Sequence, residues 1–336
     1  MRRRDFLGAA LSTAVMQAGT ATKAFAYEQT GSATLPPSTS DRKQASPRPW
    51  SVGVLIHPTV GPESTILRVQ QLGMSNCFFS LDAYLGKFMP ALAEQFGDLL
   101  HKYGIVATAA EVVGPGPLVW DFVNGPSTIG LVPRATRAAR IDALKQTSDF
   151  AKLLGIPRVQ THCGFIPENP KNPLYEETVL AIREVAKHCA ANGQDFLMET
   201  GQETPTTMSR AILDVDQPNL GVGLDTANLI LYGKANPVDA AGIIGPHVKS
   251  IHAKDGKWPT DPMKLGEEVL IGTGDVDFTK VFTVLHQLGY AGVVTIERET
   301  QGPQQIEDVK KEKLYLERIL DPFGIGYASQ IQNGNA

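Results

Sequence analysis

FLMETGQE (196–203), GVGLDTAN (221–228), VKSIHAKD (248–255) and GVVTIERE (292–299) are the stretches that decide the fold of this chain. Each is a short apolar run, rich in β-branched residues, bounded by polar ones. Such runs are the signature of strands buried on both faces. Each also carries a metal-capable side chain at or near its end: Glu199, Asp225, His252 and Glu297. Four ligands at the carboxyl ends of four successive parallel strands converge on one point if the strands close into a barrel.

Working outward, the rest of the chain repeats the pattern. SVGVLIH (51–57), SNCFFSL (75–81), GIVATAAEV (104–112) and RVQTHCGF (158–165) are four earlier strands. Helical periodicity follows Pro62 and recurs over 87–103, 134–154, 173–192, 205–214, 237–245, 277–288 and 304–320. In the second of these, Phe88, Leu92, Phe96, Leu99 and Leu100 are spaced to form one buried face. Gly155 and Asn192-Gly193 supply stop signals. Eight strand–helix pairs in strict alternation imply parallel strands with crossover helices. In about 275 residues they predict a single-domain α/β protein, a closed (β/α)8 TIM barrel over 51–322. Two connections, 113–132 and 256–276, are long and leave the carboxyl ends of strands, where barrel active sites are built. Trp120, Phe122 and Trp258 on them are candidates for an apolar wall over a sugar ring.

The N-terminus reads differently. Arg2-Arg3-Arg4 precede Phe6-Leu7 and a weakly apolar stretch, and Ala24-Phe25-Ala26 offers small residues at a cleavage site. Residues 1–26 are similar to a twin-arginine export signal, which predicts transient contact with that machinery and a periplasmic or otherwise exported protein. The apolar stretch is too short and too weak to span a bilayer. Residues 27–50, rich in Ser, Thr and Pro, are expected to be a linker, and 323–336 a polar tail.

The whole chain carries a net charge of −4. Removing residues 1–26 takes away four basic residues and one acid, which leaves −7. A mildly acidic protein without a basic run has no electrostatic footprint for nucleic acid. Three cysteines, Cys77, Cys163 and Cys189, make no disulfide framework and read as small buried hydrophobes.

The residue types then give the chemistry. Three carboxylates and an imidazole form an oxygen-rich set suited to one divalent cation (Mn, Mg, Co, Fe or Zn) with open coordination positions, whereas a structural zinc favours cysteine. Glu199 and Glu297 flank the expected substrate carbon from opposite sides, as an acid/base pair. Further substrate contacts are expected from His57, Glu111 and His162, which end strands one, three and four, and from Lys254 after strand seven. Trp120, Glu203 and Asn228 complete the candidate set.

Taken together, these features resemble the xylose isomerase-like barrel family, also called sugar phosphate isomerases/epimerases, whose members include ketose 3-epimerases, hydroxypyruvate isomerase and inosose dehydratase. The resemblance spans 51–320. It rests on Glu199 with Gln202 and Glu203, on Asp225 in GLDTAN, on His252-Ala253-Lys254-Asp255, on GTGDVDF (272–278), and on Glu297. It implies that the quartet binds one divalent cation, that Glu199 and Glu297 are the catalytic pair, and that the protein forms homo-oligomers, as family members often do. In one place the chain departs from the pattern. Many epimerases of the family carry histidine three residues after the strand-six aspartate, where this chain has Asn228, and asparagine takes no proton at neutral pH.

Three functions follow as expectations. The first is a metal-dependent isomerase or epimerase of a non-phosphorylated keto sugar or polyol, acting through an enediolate. The second is a lyase that eliminates the β-substituent of a 3-keto glycoside or dehydrates a keto-inositol. The third is a barrel that binds carbohydrate without catalysis.

Overall fold

The computed structural model describes residues 50–58 and 61–325. The expected export signal lies outside the described residues, as do the linker up to residue 49 and the tail beyond 325. In chain order the strands are β1 (Ser51–Ile56), β2 (Asn76–Ser80), β3 (Val106–Glu111), β4 (Arg158–His162), β5 (Asp195–Glu199), β6 (Leu220–Asp225), β7 (Val248–Ala253), β8 (Asp255–Lys257), β9 (Glu267–Val269) and β10 (Val293–Ile296). All but β8 and β9 close into one parallel barrel in the order β1-β10-β7-β6-β5-β4-β3-β2. The helices are α1 (Pro62–Gln71), α2 (Pro90–Tyr103), α3 (Gly125–Thr128), α4 (Arg134–Leu153), α5 (Pro173–Ala191), α6 (Pro205–Val215), α7 (Asn228–Leu231), α8 (Pro237–Ile244), α9 (Phe278–Gln287) and α10 (Pro303–Leu320). The eight-stranded (β/α)8 barrel read from the alternation is therefore the observed fold, as one domain.

Several elements differ from expectation in their detail. The second helix starts at Pro90, not residue 87, because Pro is favoured in the first helical turn. Phe88 therefore lies before the helix, and its ring stacks on Phe150 of α4 at 4.8 Å between centroids. The long connections are not structureless. The first contains α3, and the second folds back as the antiparallel hairpin β8–β9, with Asp255 opposite Val269. Asp255 fixes that connection, since its carboxylate accepts from the backbone N–H groups of Gly272, Gly274 and Val276. Trp50, assigned to the linker, is fully buried. Its backbone N–H donates to the Gly324 carbonyl at 2.8 Å, and its ring packs on Phe282, Tyr290 and Phe323. A large indole sheltered in this way gains too much by burial to remain in a linker. Among the described residues no helix is long and apolar enough to cross a membrane.

Strand register sets the site. His162 pairs with Glu199, Glu199 with Gly223, and Asp225 with His252, so these side chains leave the sheet at one level. Glu297 follows β10 by one residue, and its N–H donates to the Ala253 carbonyl at 3.1 Å, which brings it to the same rim. Gly223 is required for a steric reason. A Cβ there would sit 2.0 Å from Gln160 Oε1, so only glycine leaves room for that side chain in the barrel centre.

Candidate active site

Glu199, Asp225, His252 and Glu297 each offer one ligand atom, and the four atoms lie within 4.8 Å of one another. His252 Nδ1 is 3.2 Å from Glu199 Oε1 and 3.0 Å from Glu297 Oε2. The first three are essentially buried, while Glu297 keeps 17% of its side chain exposed towards the mouth. Asp225 Oδ1 accepts the backbone N–H of Asn228 at 2.7 Å, whereas its buried Oδ2 has no hydrogen-bond partner. A buried carboxylate oxygen that accepts no hydrogen bond, with only the Lys254 ammonium at 4.0 Å and two further carboxylates nearby, is costly unless a closer cation meets it. The set therefore fits a divalent cation by its donor chemistry, with oxygen from three carboxylates and nitrogen from one imidazole.

Electrostatics within the quartet are strongly coupled. Burial pushes the Asp225 carboxyl well above the usual range, against the pull of Lys254. Burial would raise Glu199 too, but His162 and His252 outweigh it and hold the group low. Glu297 is held well below the usual range because Lys254 and His252 overcome its burial. His252 goes up despite burial, through Glu199 and Glu297. Without a metal, the imidazolium and the Lys254 ammonium are the counter-charges at the centre.

Glu199 and Glu297 of the quartet line a cavity of about 590 Å³, with Asp225 and His252 buried beside them. Its wall includes His57, Glu111, Trp120, His162, Asn228 and Lys254, all of them predicted contacts. His162 lies 3.3 Å from Glu199 Oε2, with Gln202 Oε1 at 3.2 Å from its other nitrogen and the Trp120 ring edge-on above it. Lys254 is buried; its ammonium donates to Glu297 Oε1 at 3.3 Å and to Glu299. Burial, then repulsion from Glu199, raises the Glu111 carboxyl, which lines the cavity, well above its usual range and so favours its neutral form. His57 sits at the rim, its ring held low by partial burial.

Glu203 is placed elsewhere. It is buried with both oxygens lacking a hydrogen-bond partner, is pushed up to about 8 by burial, and does not line the cavity. The turn after Glu199 carries it into the protein, so proximity in sequence to a strand end misleads there. Trp258 does not line the cavity either. Asp82, Gln160, Tyr232, Glu268 and Glu299 were not anticipated. Gln160 Nε2 donates to Glu199 Oε2 at 3.1 Å and lies 3.4 Å from His252 Nε2. A period-two reading of β4 places Arg158, Gln160 and His162 on one face, and so could have found it.

The description "xylose isomerase-like TIM barrel" matches residues 71–319. The solved structure of a xylose isomerase domain protein from Planctomyces limnophilus is 34% identical, with a TM-score of 0.76, covering 81% of this chain and 97% of that one. An uncharacterised protein of Methanocaldococcus jannaschii is 27% identical over 203 residues, 55% of this chain, and the chain covers only 64% of that protein. A mouse protein provisionally named as a hydroxypyruvate isomerase is 25% identical over 223 residues, 60% of this chain and 74% of its own. A D-psicose 3-epimerase solved in the presence of D-fructose shares the fold at 15% identity, with a TM-score of 0.61, covering 80% of this chain and 99% of that one.

Proposed function

The chain belongs to the xylose isomerase-like TIM barrel family, and on that premise we propose that it is a divalent-metal-dependent isomerase or epimerase of a neutral keto sugar or polyol. One observation carries this reading. Four ligand atoms converge, one of them on a carboxylate with a buried oxygen that accepts no hydrogen bond, and two of the four residues, Glu199 and Glu297, line an open cavity of sugar-accommodating size. Sugar epimerases and isomerases among the structural and sequence neighbours support it.

Glu199, Asp225, His252 and Glu297 would hold the cation. When bound, it supplies Lewis acidity that polarises a substrate carbonyl. The protein's own groups do the rest. Glu297, kept ionised by Lys254 and His252 and lining the cavity, takes a proton from the carbon beside the carbonyl. Glu199, oriented by Gln160 and His162, faces the other side; it takes up a proton from solvent and delivers it there, while Glu297 releases its own to solvent. Glu111, held neutral, donates a hydrogen bond to a substrate oxygen without adding charge. Asn228 contributes its amide to a hydroxyl group.

Charge favours a neutral substrate. Asp82, Glu199, Glu268, Glu297 and Glu299 line the cavity, and its one lysine, Lys254, is already paired. A phosphate or carboxylate would face these groups at short range in a medium of reduced dielectric. We propose that the protein is exported, where such uncharged substrates are met.

Lyase chemistry on a 3-keto glycoside is the second reading. Asn228 favours it, since an amide cannot take part in the proton return that epimerisation needs. Incubation in deuterated water with free ketoses, and separately with a 3-keto glucoside, followed by NMR, tests both. Deuterium in a ketose together with a new epimer or aldose supports the first; aglycone release supports the second. Metal-bound protein that exchanges nothing refutes both and leaves a binding protein.

A further inference from the structure

A second cavity, of about 280 Å³, lies at the opposite end of the barrel, where β3, β4, β7 and β10 begin. It is walled by Pro157, Pro246, Leu288, Tyr290 and Val293, and both Arg158 and Lys249 reach it. The two cations differ in their partners. Lys249 Nζ donates to Asp195 Oδ1 at 2.6 Å and is neutralised. Arg158 has no ion pair among the described residues. Its Nη1 makes one long contact with the Thr108 carbonyl at 3.4 Å, and its buried Nε has no hydrogen-bond partner. Arg158 belongs to the same inward-facing row of β4 as Gln160 and His162, so its side chain is directed to the barrel interior rather than to the helices.

We propose that this cavity is a binding site for a small organic acid, whose carboxylate pairs with the Arg158 guanidinium and whose apolar body rests on the proline, leucine and tyrosine walls. A guanidinium presents a planar fork of donors matched to an oxyanion, and a buried donor left unpaired is costly. The volume falls just under the roughly 300 Å³ at which pockets for drug-sized ligands begin, so the ligand is small. The site lies at the far end of the strands from the metal-capable quartet and uses none of its residues.

Full-length protein is titrated by calorimetry with benzoate, inorganic phosphate and neutral benzamide at constant ionic strength. Saturable benzoate binding, absent for benzamide, is expected to weaken about ten- to a hundredfold in Arg158→Gln, the loss typical of a charge-assisted pair. It is expected to persist in Asp225→Ala, which separates this site from the quartet. Benzoate binding more tightly than phosphate identifies an organic acid; phosphate as the sole ligand overturns the apolar-body assignment. If Arg158→Gln does not fold, Ala291→Phe fills the cavity from its wall and is expected to abolish binding. No saturable benzoate binding at tens of millimolar, or equal binding by Arg158→Gln, overturns the proposal.

Discussion

Lys254→Met is the perturbation that probes the charge balance of the site most sharply. The Lys254 ammonium is buried, 3.3 Å from Glu297 Oε1, 4.0 Å from Asp225 Oδ2, and paired with Glu299. At 3.3 Å two unit charges in a medium of effective dielectric about 20 attract by about 5 kcal/mol, before the cost of desolvation. Methionine keeps most of the shape, so packing is nearly conserved while the Glu297 carboxylate loses its buried counter-charge. Breaking a buried pair in this way costs about 3–5 kcal/mol. The pH dependence has a definite sign. Glu297 is depressed in the folded state, so its contribution is present above the ordinary carboxylate range and is lost as pH falls through its folded value. Lys254 is raised, so its contribution is present below the ordinary lysine range and is lost only at higher pH. At neutral pH both act, and the full loss is expected there. Urea unfolding at pH 7 in a chelator reads it, with the midpoint shift converted through the m value. Saturating divalent cation should recover part of the loss, because removing Lys254 makes the quartet more negative. A loss below about 1 kcal/mol in the chelator, or a loss that grows on adding metal, would refute the reasoning.

Gln160→Leu removes the donor to Glu199 and the amide beside His252, and should weaken divalent-metal affinity by about 10–100-fold in a chelator-competition titration. Gly223→Ala places a methyl 2.0 Å from Gln160 Oε1 and should cost about 1–3 kcal/mol, seen by calorimetry as a melting point lower by about 2–4 °C per kcal/mol. Glu312, in the cluster with Arg298, is raised to about 7 by burial, so the native state is protonated where the unfolded chain is not and wild-type stability falls as pH rises from about 4.5 to about 7. Glu312→Gln should remove that fall, on the order of 3 kcal/mol across the window, and equal pH slopes in the two proteins would count against it.

Barrel and quartet were legible because both rest on patterns that the chain repeats. Apolar β-branched runs mark doubly buried strands, and the polar residue ending each run marks the rim where the backbone leaves the sheet. Short polar strands escape such a reading, as DGK and EEV in β8 and β9 have no apolar alternation, and Asp255 in β8 fixes the hairpin by holding the segment after β9. Gln160 escapes a reading of strand ends because its place is two residues before His162, deeper in the barrel. Glu268 and Glu299 reach the cavity through the hairpin and through the segment after β10, contacts that no local sequence signal specifies. Trp50 was given to the linker by its polar neighbours, yet its ring closes the barrel end against Phe323. Glu203 shows the converse, a residue four positions past a ligand that the turn buries away from the cavity.

The central claim is that Glu199, Asp225, His252 and Glu297 form one cation site. Elemental analysis of protein purified without chelator, wild type beside Asp225→Ala and His252→Ala, tests it most directly. The account predicts about one divalent cation per chain in the wild type and a large loss in both variants. Equal metal in all three proteins, each still folded by circular dichroism, would contradict it.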